Sequence, residues 1–125
     1  LTPQNFEWKV HTDKMLAGDF EMARYAWCAD YNEASTFLDL FTTYSGHNDG
    51  KFDNAEYDQL LKDAKTMADP SPNYTRAEEI LATEMPVIPI YHYAKADMIK
   101  ADIKGLPENN VQQTWYAKDL YRVAQ

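Results

Sequence analysis

The residues whose types and spacing could do chemistry lie in one short stretch, WCADYNE at positions 27–33, which follows Arg24. The stretch holds the only cysteine of the chain, Cys28, and a carboxylate, Asp30, between aromatic residues. Such a carboxylate can pair with an ammonium group, and the neighbouring rings would strengthen the pairing by excluding water. Arg24 could hold a carboxylate in a bidentate fork.

Two roles for Asp30 stay open at this point. It could contact a ligand, or it could cap the helix predicted after it, because Asp30 and Glu33 have the spacing of a capping box. Composition and spacing alone favour the cap.

Other chemistries find little support in the motifs. A calcium loop can be drawn over residues 45–56 with Gly50 at its turn, but Ser45 occupies the place of the first aspartate. The alternative is a helix entry at which Asp53 or Asn54 caps the next helix. The histidines lack the spacings of a zinc site, and no hydrolase, phosphate-loop or dinucleotide motif occurs. We therefore expect no enzyme and no cofactor; a hydrolase domain is the alternative from a different class.

The composition limits the class of partner. The chain has 125 residues, 45% of them hydrophobic and 26% charged, which is typical of a folded domain or part of one. A formal net charge of -8 disfavours nucleic acid and anionic lipid surfaces as partners. No apolar run is long enough to cross a membrane. Because Cys28 has no partner in the chain, it is either a buried thiol or half of a bridge to a cysteine outside it.

Helices and strands must position these residues. Apolar side chains at helical spacing predict four helices, of which the last two should form a hairpin: 6–17, 33–43, 55–68 and 73–85. Gly18 is the expected end of the first helix.

Strands are predicted between and after the helices. Over residues 19–27 the side chains alternate, with Arg24 and Cys28 on one face and Tyr25 and Trp27 on the other. Residues 86–93 should form an edge strand, since a proline removes one ladder donor. The remaining predictions concern the tail: strands near 98–99 and 120–123 and a turn-rich loop at 105–110.

Three stretches together carry a resemblance to a known family: DFEMAR with WCADYNE, FDNAEYDQLLKDA, and NYTRAEEILATEMPVIPIYHY. The sequence resembles the C-terminal part of periplasmic oligopeptide-binding proteins, solute-binding components of ABC importers in the peptide/nickel-binding family 5. The resemblance implies an α/β fold, part of the C-terminal lobe of a type II-like periplasmic binding protein, with a mixed sheet flanked by helices. Residues 1–93 would belong to this ligand-binding lobe of a larger protein, and residues 94–125 to a segment that returns toward the N-terminal lobe.

The resemblance also implies roles for the charged residues. Asp30 corresponds to an aspartate that pairs with the α-ammonium of a bound peptide. Arg24 corresponds to an arginine that helps to receive the C-terminal carboxylate of the peptide. A second pocket arginine of the family is replaced here by Met15, with Lys14 beside it, so the length and charge preference for the ligand stays open.

Further implied roles concern aromatic residues and the cysteine. Trp8, Trp27 and Tyr93 match aromatic residues around the side-chain pockets. Cys28 matches a cysteine that, in close relatives, forms a disulfide with one earlier in the same lobe, a residue outside this chain.

The function implied by the resemblance is transport without catalysis. The protein would bind oligopeptides between two lobes in the periplasm and deliver them to the permease of an ABC importer. The alternative within the family is a receptor for another solute, such as a dipeptide, a murein peptide, a nickel complex or a sugar. An exposed apolar face would also allow a homodimer.

Overall fold

The structure is a computed structural model that describes residues 2–110 and 114–124. The ends of the predicted segments at residues 1 and 125, and residues 111–113 within the predicted returning segment, lie outside this description. The described elements are α1 (Trp8–Ala17), α2 (Ser35–Leu38), α3 (Ala55–Ala64), α4 (Ser71–Glu84), β1 (Ile103–Lys104) and β2 (Tyr121–Arg122). Short 3-10 helices follow α2 at Asp39–Phe41 and precede β2 at Ala117–Asp119.

A helix is present in each of the four predicted ranges, although the one predicted over 33–43 is reduced to Ser35–Leu38 and the one predicted over 55–68 ends at Ala64. Local sequence explains several of the helix ends. Glu7 caps α1 by accepting a hydrogen bond from the Lys9 N–H at 3.0 Å. The helix stops at Gly18, whose φ of 71° is the left-handed conformation that glycine adopts without strain. At the start of α4, Asp69 accepts from the Ser71 N–H at 3.0 Å, and a proline occupies the first turn.

The core lies between α2 and the hairpin formed by α3 and α4. It consists of buried side chains from all three helices: Leu38, Tyr57, Leu61, Ala77 and Ile80. The hydroxyl of Tyr57 donates to the carbonyl oxygen of Leu38 at 2.6 Å, which joins α2 to the hairpin. A second link comes from Asp58, a buried carboxylate that accepts from the backbone N–H of Thr43 at 3.0 Å. The chain that follows α2 is therefore attached to the first turn of α3.

The strands predicted at 19–27, 86–93 and 98–99 are not formed. Within the described part of the chain the strands are β1 and β2, an antiparallel pair with Ile103 opposite Arg122. A strand needs a hydrogen-bonded neighbour, and alternating side chains indicate only an extended backbone. No other described segment pairs with these three, and residues such as Ile88 and Ile90 stay exposed.

Two of the predictions for residues 94–125 agree with the structure. Residues 120–123 contain β2, and residues 105–110 contain a turn. Gly105 has a φ of 87°, and a Cβ at this position would lie 1.9 Å from the backbone oxygen of Asp119, so only glycine fits. The helices and the small sheet fit the predicted α/β class, with the sheet represented here by the antiparallel pair. Among the described residues, no helix is long and apolar enough to span a membrane.

Candidate ligand-binding site

Arg24 and Tyr93, distant in sequence, meet on an exposed face of the protein. Nη2 of Arg24 donates a hydrogen bond to the Tyr93 hydroxyl, and the Tyr91 hydroxyl interacts with the same guanidinium. The rings of Tyr91 and Tyr93 lie edge to face, with their centroids 4.9 Å apart. The structure therefore brings together two of the residues predicted for the ligand site and adds Tyr91, which the sequence did not single out.

The electrostatics of this cluster favour an anion as the ligand. Hydrogen bonding to Tyr91 and then the charge interaction with Tyr93 raise the pKa of Arg24, so its guanidinium stays cationic. The pKa of Tyr91 lies below its usual range because Tyr93 and Arg24 both hydrogen-bond to its hydroxyl. The pKa of Tyr93 is raised, first by its hydrogen bond to Tyr91. None of the ion pairs among residues 2–110 and 114–124 includes Arg24, so its exposed guanidinium is available to an anionic ligand.

Helix α1 is joined to the backbone of Arg24 by a hydrogen bond from the side chain of His11. Nε2 of His11 lies 2.9 Å from the carbonyl oxygen of Arg24, so the hydrogen bond requires a proton on this ring nitrogen. The Trp8 ring lies beside His11, with 5.7 Å between the centroids, and Trp8 is 64% exposed. Trp8 is thus linked to Arg24 through His11 and keeps most of its indole open to a ligand.

Trp27 and Arg24 contact different segments of the chain. Its ring contacts His47 at a centroid distance of 4.7 Å and Tyr25 at 6.4 Å. Cys28, like Arg24, lies near Tyr93, where it contributes to the raised pKa of the phenol. Arg24 and Cys28 thus lie near Tyr93, whereas Tyr25 and Trp27 contact each other, which agrees with the predicted faces for these four residues although no strand forms.

The indole nitrogen of Trp27 is a buried polar atom near the candidate site. Nε1 is buried and has no hydrogen-bond partner among residues 2–110 and 114–124. On the same side, burial and the charge of Asp49 raise the pKa of Tyr25. The loop that carries His47 and Asp49 thus forms the wall against which Trp27 rests.

Asp30 is exposed and lies ahead of α2. Its backbone N–H donates to Oγ1 of the buried Thr36 at 2.9 Å. The helix begins at Ser35 with Ala34 as its N-cap, and Glu33 accepts from the Ser35 N–H at 3.0 Å. The predicted capping box is therefore wrong, because the helix starts too late for Asp30 to be its N-cap.

A polar cluster attaches the segment around Asp30 to the hairpin. The hydroxyls of Tyr31 and Ser35 lie 2.8 Å apart, and Glu33 accepts hydrogen bonds from Ser35 and Tyr74. Burial would raise the pKa of Glu33, but these hydrogen bonds outweigh it and the pKa is lowered. Burial and Glu33 in turn raise the pKa of Tyr74 to about 12. Sequence reasoning missed this cluster because Tyr74 comes from α4.

Cys28 and Met15 differ in exposure. The Cys28 side chain is exposed and forms no disulfide within the described chain, so the buried-thiol alternative is wrong. Met15 is only 6% exposed, and the neighbouring Lys14 forms an ion pair with Asp19. The position that the resemblance matches to a second pocket arginine is therefore a buried, uncharged side chain.

The loop before α3 is a helix entry. Asn54 caps α3 by accepting from the Tyr57 N–H at 2.9 Å, as predicted. The side-chain amide of Asn48 bridges the loop by donating to the carbonyl oxygens of Thr42 and Phe52, at 3.2 and 2.7 Å. Within the described ranges, no three His, Cys, Asp or Glu side chains are placed to hold a metal ion.

Comparison with known proteins points to one group of relatives. No family model matches the chain. The periplasmic murein peptide-binding protein MppA of Escherichia coli is 39% identical over 123 residues, which cover 96% of this chain and 23% of the relative. The probable deoxycholate-binding periplasmic protein YgiS of the same organism is 38% identical over 124 residues, 97% of this chain and 23% of the relative. The chain thus spans about a quarter of the length of the curated relatives it matches.

A solved structure decides the family. The crystal structure of Haemophilus influenzae OppA in complex with RPPGFSPFR is 34% identical and has a TM-score of 0.82, over 97% of this chain and 24% of that one. The chain belongs to the family of periplasmic peptide-binding proteins. The chain therefore corresponds to part of the type II-like α/β fold of this family, as predicted. The relatives compared above are named as binding proteins, so none of them favours the hydrolase alternative.

Proposed function

We propose that the protein is the periplasmic solute-binding component of an ABC importer, that it binds oligopeptides between two lobes, and that it delivers them to the importer permease without catalysis. The observation that carries this proposal is the similarity of nearly the whole chain to a protein solved with the peptide RPPGFSPFR bound. The cationic, aromatic and exposed character of the cluster around Arg24 agrees with a ligand that carries a carboxylate.

The two segments of the chain would have different positions in such a protein. Residues 1–93 would form part of the ligand-binding lobe, which is supported by the location of the core and of every proposed contact within them. Residues 94–125 would return toward the other lobe. Closure of the two lobes on the peptide would follow a hinge motion, and the closed form would be the one that the permease recognises.

Peptides of different sequence share only a backbone and two terminal charges, so a tolerant receptor must bind those features. Arg24 would receive the C-terminal carboxylate and Asp30 the α-ammonium group. Trp8, Trp27 and Tyr93 would surround the side chains of the peptide, in pockets where ordered water adapts to different residues. Arg24, Trp8 and Tyr93 are exposed and are not packed in the core, so their side chains are available to contact a ligand.

Cys28 and the exposed apolar residues belong to the same proposal. Cys28 would form a disulfide with a cysteine outside this chain, for which its exposed thiol is available. Ile88, Ile90 and Met98 are 50%, 79% and 102% exposed. A homodimer that covers them stays a prediction.

The experiment that tests the proposal replaces the carboxylate of Asp30. Titration calorimetry would compare a peptide that has a free N-terminus with its N-acetylated form, using the wild-type protein in its full length and the Asp30→Asn variant. Loss of a charge pair enclosed between the lobes should cost about 2–5 kcal/mol with the free peptide, and the acetylated peptide should bind both proteins equally. Asp63→Asn, on the exposed face of α3, is the matched control.

Two results would contradict the proposal. If the wild-type protein bound both peptides with the same affinity, Asp30 would have no ammonium partner. If instead deoxycholate bound and peptides did not, the ligand would be that named for the relative YgiS. Deoxycholate carries a carboxylate but no ammonium, so Asp30→Asn should then leave its affinity unchanged.

A further inference from the structure

We propose that His11 is a positioning residue, whose ring N–H fixes the backbone of Arg24 so that the guanidinium is held in place for the carboxylate of the ligand. This rests on the proposed function of Arg24 and assigns a role to a residue that the family resemblance did not single out. His11 would act through Arg24 and would not itself contact the ligand.

The first argument is a hydrogen bond from α1 to the segment that follows it. Nε2 of His11 lies 2.9 Å from the carbonyl oxygen of Arg24, and a carbonyl oxygen only accepts, so this ring nitrogen is the donor. The backbone of His11 is itself fixed at the start of α1, because its N–H donates to the Glu7 carbonyl oxygen at 3.0 Å. The helix thus supplies a fixed donor for the backbone at Arg24.

The second argument is that the segment around Arg24 has no sheet to hold it. Residues 19–27 form no strand. Across the described ranges 2–110 and 114–124, the bond from His11 is the one hydrogen bond that joins the backbone of residues 20–27 to another part of the chain. A backbone with a single attachment of this kind can shift when that attachment is lost, and the Cα atom of Arg24 would shift with it.

The third argument is that Arg24 is held at both of its ends. Its carbonyl oxygen accepts from His11, and Nη2 at the tip of its side chain donates to the Tyr93 hydroxyl. A ligand that binds an arginine must immobilise it, so an arginine restricted beforehand lowers that entropic cost. The guanidinium has five N–H donors, and those not directed at the tyrosine can form a bidentate contact with a carboxylate.

The surroundings of His11 allow its donor to be removed without removing its ring. The side chain is half-buried and lies outside the hydrophobic core, and its ring contacts Trp8 at a centroid distance of 5.7 Å. His11→Phe keeps an aromatic ring beside Trp8 and loses the donor. His11→Gln loses the ring and keeps an N–H donor of similar reach. The two variants therefore separate the hydrogen bond from the packing.

The test compares carboxylate and amide ligands by titration calorimetry. Short alanine peptides with a free C-terminal carboxylate, and the same peptides as C-terminal amides, would be titrated into the full-length wild-type protein and its variants. We expect His11→Phe to weaken the carboxylate peptides roughly fivefold and to leave the amides unchanged, and His11→Gln to retain most of the affinity. Thr12→Val is the matched control, because it removes a donor of α1 whose acceptor, the Trp8 carbonyl oxygen, lies in the same helix.

A double-mutant cycle separates positioning of Arg24 from a general effect on structure. In an Arg24→Gln background, His11→Phe should have no further effect on the carboxylate peptides. Additive losses would overturn the proposal, as would an equal loss for carboxylates and amides or an equal loss in His11→Phe and His11→Gln. A wild-type protein that prefers carboxylates, with the same preference in His11→Phe, would overturn the role of His11 alone. A wild-type protein that binds neither form would overturn the proposed function itself.

Discussion

Replacing Tyr57 with phenylalanine removes the hydroxyl that joins α2 to the α3–α4 hairpin. Tyr57 is completely buried, and its hydroxyl donates to the Leu38 carbonyl oxygen at 2.6 Å. The aromatic ring would stay in place, together with its edge-on contact with Phe52 at a centroid distance of 5.6 Å. The substitution therefore isolates one hydrogen bond from the apolar packing around it.

The expected loss of stability follows from the surroundings of the acceptor. A typical hydrogen bond contributes about 0.5–1.5 kcal/mol net, and a buried group left without its partner costs about 1–3 kcal/mol. Leu38 is only 5% exposed, so water has little access to replace the lost donor. We expect the free energy of unfolding to fall by about 2 kcal/mol.

Urea unfolding followed by far-UV circular dichroism would measure this loss. With a denaturant dependence of about 1–3 kcal/mol per molar urea, the midpoint should move down by roughly 1 M. Tyr121→Phe, at a residue 59% exposed, is the matched control and should unfold like the wild type. A midpoint for Tyr57→Phe equal to that of the wild type would show that this hydrogen bond does not hold α2 to the hairpin.

Two further predictions concern the same hairpin. The pKa of Tyr74 is raised from 10.0 to about 12, first by burial and then by Glu33, so the stability it contributes is fully present below pH 10 and is lost as the pH rises through 12. Tyr74→Phe should therefore reduce the loss of stability measured across this pH range, and an unchanged pH dependence would contradict the assignment. Asn54→Ala removes the cap of α3 and should lower the free energy of unfolding by about 1 kcal/mol, whereas Asn54→Ser should keep most of it. Equal urea midpoints for the two Asn54 variants would refute the capping role.

The helices could be predicted because the signals that define them are local. Tyr57, Leu61 and Ala64 recur at the spacing of one helix face, and they are the buried residues of α3 together with Asp58. Asn54 and Gly18 mark helix ends through hydrogen bonds and a backbone conformation that involve only neighbouring residues. The capping box at Asp30 and Glu33 failed because the start of α2 depends on contacts with Thr36 and Tyr74, which spacing does not show.

The sequence indicated several residues of the candidate site, but it did not indicate which of them contact one another. Arg24, Asp30 and Trp27 stand out by residue type and by resemblance to the family. The contact between Arg24 and Tyr93 joins residues that only folding can bring together, and so does the packing of Trp27 against His47. Tyr91 shows the limit most clearly, because nothing in its local sequence marks it as a partner of an arginine.

The sequence by itself determined the helices, most of their ends, the separation of Arg24 and Cys28 from Tyr25 and Trp27, and the family to which the chain belongs. These follow from the spacing of residue types along the chain, which acts over a few residues. The tertiary structure alone decided which distant side chains meet and which extended segments become strands. A strand exists only beside a hydrogen-bonded neighbour, and along residues 19–27 and 86–93 no described segment of this chain provides one.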